Sequence, residues 1–275
     1  MNYQENLKEF YAPLDSEDAY ERQWGYGNPV AADYWRMRDT LVFGAITSHF
    51  AERANDIRAL EVGAGHGHEL AKLLSLKIPG RNLAGIDLLE KRVHRARQNY
   101  PSITFYVQDA TALSFPDNSF DLVMQFTCCF HAPTRDMHLA MCSEMARVLR
   151  PGGIILWWDV APPSWRTICI RRFSLLFGGL ASWRQIPGNL RQTFREILLP
   201  SARRIMLQRA DLGWMLSVDA HELPQLFRGL RVHARRAGAD FVIWEMLWRR
   251  CPPLARAVWR SGFCSRHCFA VIQKL

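Results

Sequence analysis

"RALEVGAGHGHEL", Arg58 to Leu70, is the stretch whose reading decides the fold. Glycines stand at alternate positions, Gly63, Gly65 and Gly67, and an apolar run carrying Glu61 leads into them. "IRALEVG" is short, apolar and stopped by glycine, so it reads as a buried strand. "HELAKLLSLKI" then reads as a helix ended by "PG". A glycine turn between strand and helix tolerates positive φ and lets a ligand approach the backbone. The helix behind it offers free amide hydrogens and a positive dipole end. In dinucleotide sites the third glycine stands five residues after the first. His68 holds that place here, and the third glycine comes earlier. A plain tight turn is therefore the alternative reading.

Outward from this turn, strands alternate with helices. Val30 to Ala51 carries apolar residues at helical spacing. "NLAGIDL" is a second strand, "LEKRVHRARQNY" a helix and "ITFYVQDA" a third strand. "FDLVMQF" is the fourth, "RDMHLAMCSEMARVLR" a helix closed by Pro151-Gly152-Gly153, and "GIILWWDV" the fifth. The alternation predicts right-handed crossovers and an α/β fold. After Asp159 the rhythm changes: residues 161–229 show no convincing strand and read as a basic helical insertion, a lid over a substrate. "LRVHARRAGADFVIWE" and "HCFAVIQKL" supply the last two strands. The expected organisation is an N-terminal helical cap (1–54), a ligand-binding core (55–160), the insertion (161–229) and C-terminal strands (230–275). Nothing repeats at a solenoid period.

The 275 residues are 49% hydrophobic, enough for a proper core. "MNYQENLKEF" is polar, unlike a secretory leader, and no apolar run nears the ~18–20 residues of a membrane span. The seven cysteines lack a spaced framework, which fits reduced thiols and a cytoplasmic location. Charge is uneven. Residues 1–150 hold 16 Lys and Arg against 19 Asp and Glu, whereas residues 151–275 hold 19 against 7. Most of this excess is arginine, whose planar donors suit phosphate or carboxylate. It reads either as a solvated basic face or as a surface for an acidic partner.

Two further acids stand at strand ends. Asp87 ends the second strand 24 residues after Gly63, where a carboxylate can accept ribose hydroxyls. Asp109, followed by Ala110, ends the third, where it can accept from an exocyclic amino group. A helix N-cap is the alternative for either acid alone. "LEVGAGHG", "GIDLLEKRVHRAR", "VQDATALSFPDNSFDLV" and "MARVLRPGGIILWWD" together resemble the successive motifs of class I S-adenosylmethionine-dependent methyltransferases, close to the branch that alkylates small molecules. The resemblance covers about residues 55–160. It implies a Rossmann-like, doubly wound, mostly parallel seven-stranded sheet with helices on both faces. It also implies S-adenosyl-L-methionine as cofactor. Gly63, Ala64, Gly65 and Gly67 would wrap its methionine part, with Glu61 near the amino group. Asp87 would hold the ribose, Leu88 the adenine face, and Asp109 with Ala110 the adenine edge. Gln125 and Phe126 would face the sulfonium. His66 and His68 depart from the usual pattern; they either start the helix or take part in catalysis.

Methyl transfer needs position and a dry pocket more than a fixed catalytic residue. His131, just after the fourth strand, is a candidate base or a pocket-lining residue. Asp159, ending the fifth strand, would orient a substrate or serve as a turn acid. Tyr34 and Arg38, one turn apart, would close over the cofactor carboxylate, and packing explains Tyr34 equally well. "QFTC" lacks the prolines of base-amine methyltransferases. Cys128 and Cys129 lack the preceding proline of RNA cytosine-5 enzymes and read as buried thiols. Cys251, Cys264, His267 and Cys268 lack zinc-module spacing, so no metal is expected.

The expected acceptor is a small organic or lipid-like molecule, anionic if the arginines bind it, within natural product biosynthesis. Peripheral contact with an anionic membrane through "IRRFSLLFGGLASWR" is a second reading of the basic half. RNA methylation is a third, less favoured than the others, and a non-catalytic cofactor-binding protein is a fourth. A homo-oligomer stays open.

Overall fold

The computed structural model describes Glu5 and residues 27–53, 55–132, 134–162 and 217–275. Most of the expected insertion lies outside the described residues, as does its "IRRFSLLFGGLASWR" segment.

Helix α1, Pro29–Phe50, starts where Asn28 accepts a hydrogen bond from the Val30 amide at 3.0 Å and proline fills the first turn. Strand β1 is Ala59–Val62. Helix α2, His68–Ala71, is a single turn that tightens into a 3-10 segment over Lys72–Leu76. The expected longer helix is thus only partly α, and Lys77 at φ 63 ends it before the Pro-Gly pair is reached. Then come β2 (Leu83–Asp87), α3 (Glu90–Asn99), β3 (Thr104–Val107) and β4 (Phe120–Phe126). Helix α4, Arg135–Val148, is capped by Thr134 and runs directly into β5, Leu149–Val160. After the undescribed stretch come α5 (Leu223–Leu226), β6 (Arg231–Ala237), α6 (Phe241–Trp248), α7 (Pro252–Ser261) and β7 (His267–Gln273).

"LRVHARRAGADFVIWE" therefore divides into a strand and a helix. Gly238 makes the break: its φ is +71, and a Cβ there would meet the Tyr34 hydroxyl at 2.6 Å. The seven strands order as β3-β2-β1-β4-β5-β7-β6. All pairings are parallel except those of β7, which runs antiparallel to β5 and β6. This is the expected doubly wound sheet.

Alternate strand residues feed two cores. Leu122, Met124, Leu156 and Trp158 pack with α1, α3 and α7. Val123, Ile155 and Trp157 pack with α4 and α5. The N-terminal helix is fastened to the C-terminal helices: Asp33 accepts from Trp248 Nε1 at 3.0 Å and Arg256 Nε at 2.9 Å. Trp244 Nε1 donates to the Val30 carbonyl at 2.9 Å. Sequence order reverses between β1 and β4, and such a switch point opens a crevice at the carboxyl ends of the strands. No helix among the described residues is long and apolar enough to cross a membrane.

Candidate functional site

The crevice is built from four strand ends. After β1 the Gly63 and Ala64 amides both donate to the Ile86 carbonyl, at 2.9 and 2.8 Å, which bends the chain over β2. Gly63, Gly65 and Gly67 all adopt positive φ, at 77°, 51° and 84°. The crowding differs along the turn. A Cβ on Gly63 would lie 2.5 Å from Cys128 Sγ, and one on Gly67 would lie 2.7 Å from the Phe105 ring. Asp87, ending β2, braces this turn: one carboxylate oxygen accepts from the Gly65 amide and the other from the Leu89 amide, both at 2.9 Å.

Opposite, β4 runs into Thr127, a β-branched residue at φ 53 whose amide donates to the Trp158 carbonyl at 2.7 Å. Such a conformation is costly and concentrates at functional sites. Gln125 and Asp159 hold the following turn from beneath. Gln125 Oε1 accepts from the Cys128 and Cys129 amides at 3.1 and 3.3 Å. Asp159 accepts from Gln125 Nε2 at 3.2 Å and the Phe130 amide at 3.1 Å.

Between the two loops lies a cleft of about 620 Å³, counting the part open to solvent. Of the residues singled out in the sequence, Gly63, Asp87, Leu88, Asp109, Ala110 and His131 line it. Asp109 is itself braced, accepting from the Thr111 amide and hydroxyl at 2.8 and 2.7 Å.

Other candidates lie elsewhere. Gln125 and Asp159 are buried supports under the wall. Phe126 is buried, with the Arg38 guanidinium 5.3 Å from its ring. Tyr34 is fully buried on the far side of the sheet, its hydroxyl 3.0 Å from the Ala239 carbonyl and 2.9 Å from His267 Nδ1. Packing accounts for it. Arg38 is buried in an ionic cluster with Asp39 at 2.7 Å and Glu69 at 2.5 Å, and Lys72 joins both acids at 3.0 and 2.8 Å. This cluster ties α1 to the segment behind the glycine turn. Burial opposes charge on Glu69, but Arg38 and Lys72 outweigh it and hold the carboxyl at about 2.

Glu61 lies deepest. Glu61 is 2% exposed in β1, and its Oε2 has no hydrogen-bond partner among the described residues. Burial, then the neighbouring Glu69, raises its carboxyl well above the usual range. A buried acid left with an unsatisfied oxygen suits a cationic guest. Burial also lifts Asp159, to about 7, against the hydrogen bonds it accepts. His131 is pulled down to about 3 by burial and then by Arg92, so its ring is neutral at physiological pH.

Sequence reading missed Arg92, Thr127 and Met141, and it took Cys128 for a wholly buried thiol, whereas all four line the cleft. Arg92 had a signal, falling in the first turn after the β2 acid. The backbone twist at Thr127 had none. Cys264 is buried and His267 faces Tyr34; among the described residues no trio of His, Cys, Asp and Glu could hold a metal.

Residues 59–153 match a family model described as a methyltransferase domain. Over that span the chain is similar to S-adenosylmethionine-dependent methyltransferases, as the motifs in its sequence imply. Two curated relatives match part of the chain. A fatty-acid O-methyltransferase of Mycolicibacterium smegmatis is 38% identical over 114 residues, 39% of this chain and 40% of its own length. A 2-methyl-6-phytyl-1,4-hydroquinone methyltransferase of Synechocystis is 39% identical over 161 residues, 54% of this chain and 49% of its own. The chain thus spans less than half the length of either relative. Among solved structures, the magnesium protoporphyrin IX methyltransferase of Synechocystis with bound S-adenosylhomocysteine aligns over 99% of this chain and 100% of its own, at TM-score 0.57 and 15% identity. That likeness is one of fold. The residues present fit S-adenosylmethionine, the cofactor that the resemblance implies: the Glu61 oxygen without a partner among the described residues complements an ammonium group, and at Gly65 a Cβ would meet nothing nearer than the Arg92 guanidinium at 3.8 Å, which leaves that backbone open to close approach.

Proposed function

We propose that this methyltransferase binds S-adenosylmethionine in the β1–β4 cleft and methylates a small organic or lipid-like acceptor. The observation that carries the reading is Glu61, a buried acid just before three left-handed glycines, with one oxygen that has no partner among the described residues. In this reading Glu61 takes the ammonium group, and Gly63 to Gly67 follow the methionine chain. Asp87, already oriented by two amides, accepts the ribose hydroxyls. Leu88, Asp109 and Ala110 flank the adenine.

S-adenosylmethionine, when bound, supplies an electrophilic methyl group on a positively charged sulfur. The chain's part is alignment and exclusion of water. Thr127 and Cys128 form the wall beside the Gly63 turn, held from below by Gln125 and Asp159. His131 offers a neutral ring at this wall; at about 3 it is a weak base, so it serves to position rather than to remove a proton.

A lipid-like acceptor is supported by the substrates for which the two relatives are named, a fatty acid and a phytyl hydroquinone, both with long apolar chains. A cytoplasmic site of action and a biosynthetic role belong to the same reading. The test is incubation of the purified protein with methyl-labelled donor and a lipid and metabolite extract, followed by identification of the labelled product. Label in a small apolar molecule is expected. Label lost on nuclease treatment would make RNA the acceptor, and tight donor binding without any labelled product would make the protein a non-catalytic binder.

A further inference from the structure

Residues 217–275 hold ten Lys and Arg against four Asp and Glu. Part of that charge is neutralised internally: Arg236 pairs with Asp219, Arg249 with Glu245, Arg256 with Asp33 and Arg266 with Asp240. Arg228, Arg231, Arg235 and Arg260 are all exposed, and none has an ion-pair partner among the described residues. Their placement is ordered. Strand β6 lies at one end of the sheet, and its exposed residues alternate: Arg231, His233 and Arg235 share one face. Helix α7 packs beside that strand. Its capping Gly262 is so close that a Cβ there would lie 3.1 Å from the Arg236 carbonyl. The helix buries Ala255 and Trp259 and turns Ala257 and Arg260 outward.

Two large apolar side chains bracket this basic flank. Leu254, in the first turn of α7, is 49% exposed, and Phe263, just past its C-terminal cap, is 48% exposed. β6 runs parallel to β5, so its Arg235 end and Phe263 lie at the same edge of the sheet as the cleft. We propose that the β6–α7 flank is a docking surface for an anionic lipid bilayer. Arginines attract the acidic headgroups, and Leu254 and Phe263 enter the interface between them.

Charge alone would explain an edge strand protected from pairing. It does not explain large apolar groups exposed at both ends of the adjoining helix. The same positive charge repels a second copy of this face. A nucleic acid would use the arginines but gains little from an exposed leucine. A bilayer rewards both kinds of group, and a few basic residues with partial apolar insertion give reversible attachment. This inference concerns where the protein works and stands independently of the reaction it performs.

The experiment is co-sedimentation of the full chain with vesicles of phosphatidylcholine alone and with 30% phosphatidylglycerol added, at low and high salt. Binding to the anionic vesicles is expected, with little to the neutral ones. It should weaken strongly at ~0.5 M salt, where the screening length is only a few ångströms. Arg231→Glu with Arg235→Glu should reduce anionic binding by at least ~10-fold, at roughly tenfold or less per charge removed. Leu254→Ser with Phe263→Ser should reduce it too, while leaving its salt dependence in place. Unchanged thermal melting of both variants shows that they fold. Equal binding to neutral vesicles, no binding to either, or charge-reversal variants that bind like the parent would overturn the proposal. So would a 30-nucleotide RNA that displaces the protein from vesicles while the apolar double variant binds vesicles like the parent.

Discussion

Cys128 Sγ lies 2.5 Å from the point where a Cβ on Gly63 would stand, and Cys128 Cβ lies 2.6 Å from it. The turn after β1 and the turn after β4 are pressed together with no room for a methyl group. Gly63→Ala would have to displace Cys128 while adopting φ +77. The backbone term costs ~1–2 kcal/mol and the crowding ~1–3 kcal/mol. Scanning calorimetry should show a melting temperature several degrees lower, and isothermal titration should show S-adenosylhomocysteine bound at least ~10-fold more weakly. Adding Cys128→Gly to the same chain should recover part of both losses, because it removes the obstacle and leaves only the backbone strain. A Gly63→Ala protein that melts and binds like the parent would mean the two turns separate freely.

Asp87 links the same turn to β2 through its paired acceptors at 2.9 Å. A hydrogen bond to a charged group contributes ~1.5–3 kcal/mol. Asp87→Ala should therefore weaken S-adenosylhomocysteine binding ~10–100-fold by titration calorimetry, through the lost ribose contact and the loosened Gly65. Asp87→Asn should fall between, since an amide cannot accept from both backbone groups at once. Undiminished binding by the alanine variant would remove Asp87 from the ribose.

Strand β4 was legible to the residue, because "FDLVMQF" is an apolar run bounded by a turn signal and by a change of composition. The segment after Gly67 was less so: apolar periodicity does not distinguish an α-turn from a 3-10 segment, and Lys77 in a left-handed conformation leaves no mark in composition. In the site, motif position found the strand ends but not which way their side chains face. Neighbouring residues on a strand point to opposite sides, so Gln125 and Phe126 could not both look into the cleft. One supports the following turn from beneath, and the other packs toward Arg38. For Tyr34 the sequence left packing and a cofactor contact equally open: one turn of helix separates it from Arg38, yet Gly238, distant in sequence, opens the space that its hydroxyl fills. Such long-range complementarity is invisible to local pattern.

Asp159 gives a pH signature to the support beneath the wall. Burial raises its carboxyl to about 7, whereas the unfolded chain releases that proton near the ordinary aspartate value of ~3.9. Between these limits the native state binds the extra proton, so this group's contribution to stability falls as pH rises and levels off above about 7. Other groups titrate over the same range, buried His267 among them with its ring lowered to about 3, so the comparison must be differential. Melting temperatures of the parent minus those of Asp159→Asn should decrease steadily from pH 4 to 7 and then stay flat. A difference independent of pH would mean that Asp159 is ionised throughout.

Glu61 makes the sharper prediction, because its titration is tied to occupancy. Its carboxyl is raised by burial and by Glu69, while the Leu70 amide, Lys72 and Arg38, the last two already paired with Glu69, only partly compensate. It therefore holds its proton to a higher pH than an exposed glutamate. An ammonium group at the orphaned oxygen favours the ionised form, so binding should expel the proton. The sign follows: affinity for S-adenosylhomocysteine should rise with pH while free Glu61 is protonated, and become flat once it is ionised. Titration calorimetry at pH 6.5 in buffers of different ionisation enthalpy measures this directly, because the ligand's own amine, near ~8, stays charged there. The observed enthalpy should vary linearly with buffer ionisation enthalpy, with a slope indicating proton release. In Glu61→Gln that slope should vanish while weaker binding persists. A parent protein with zero slope would show that Glu61 enters the complex already ionised, and that the buried oxygen is compensated in some other way.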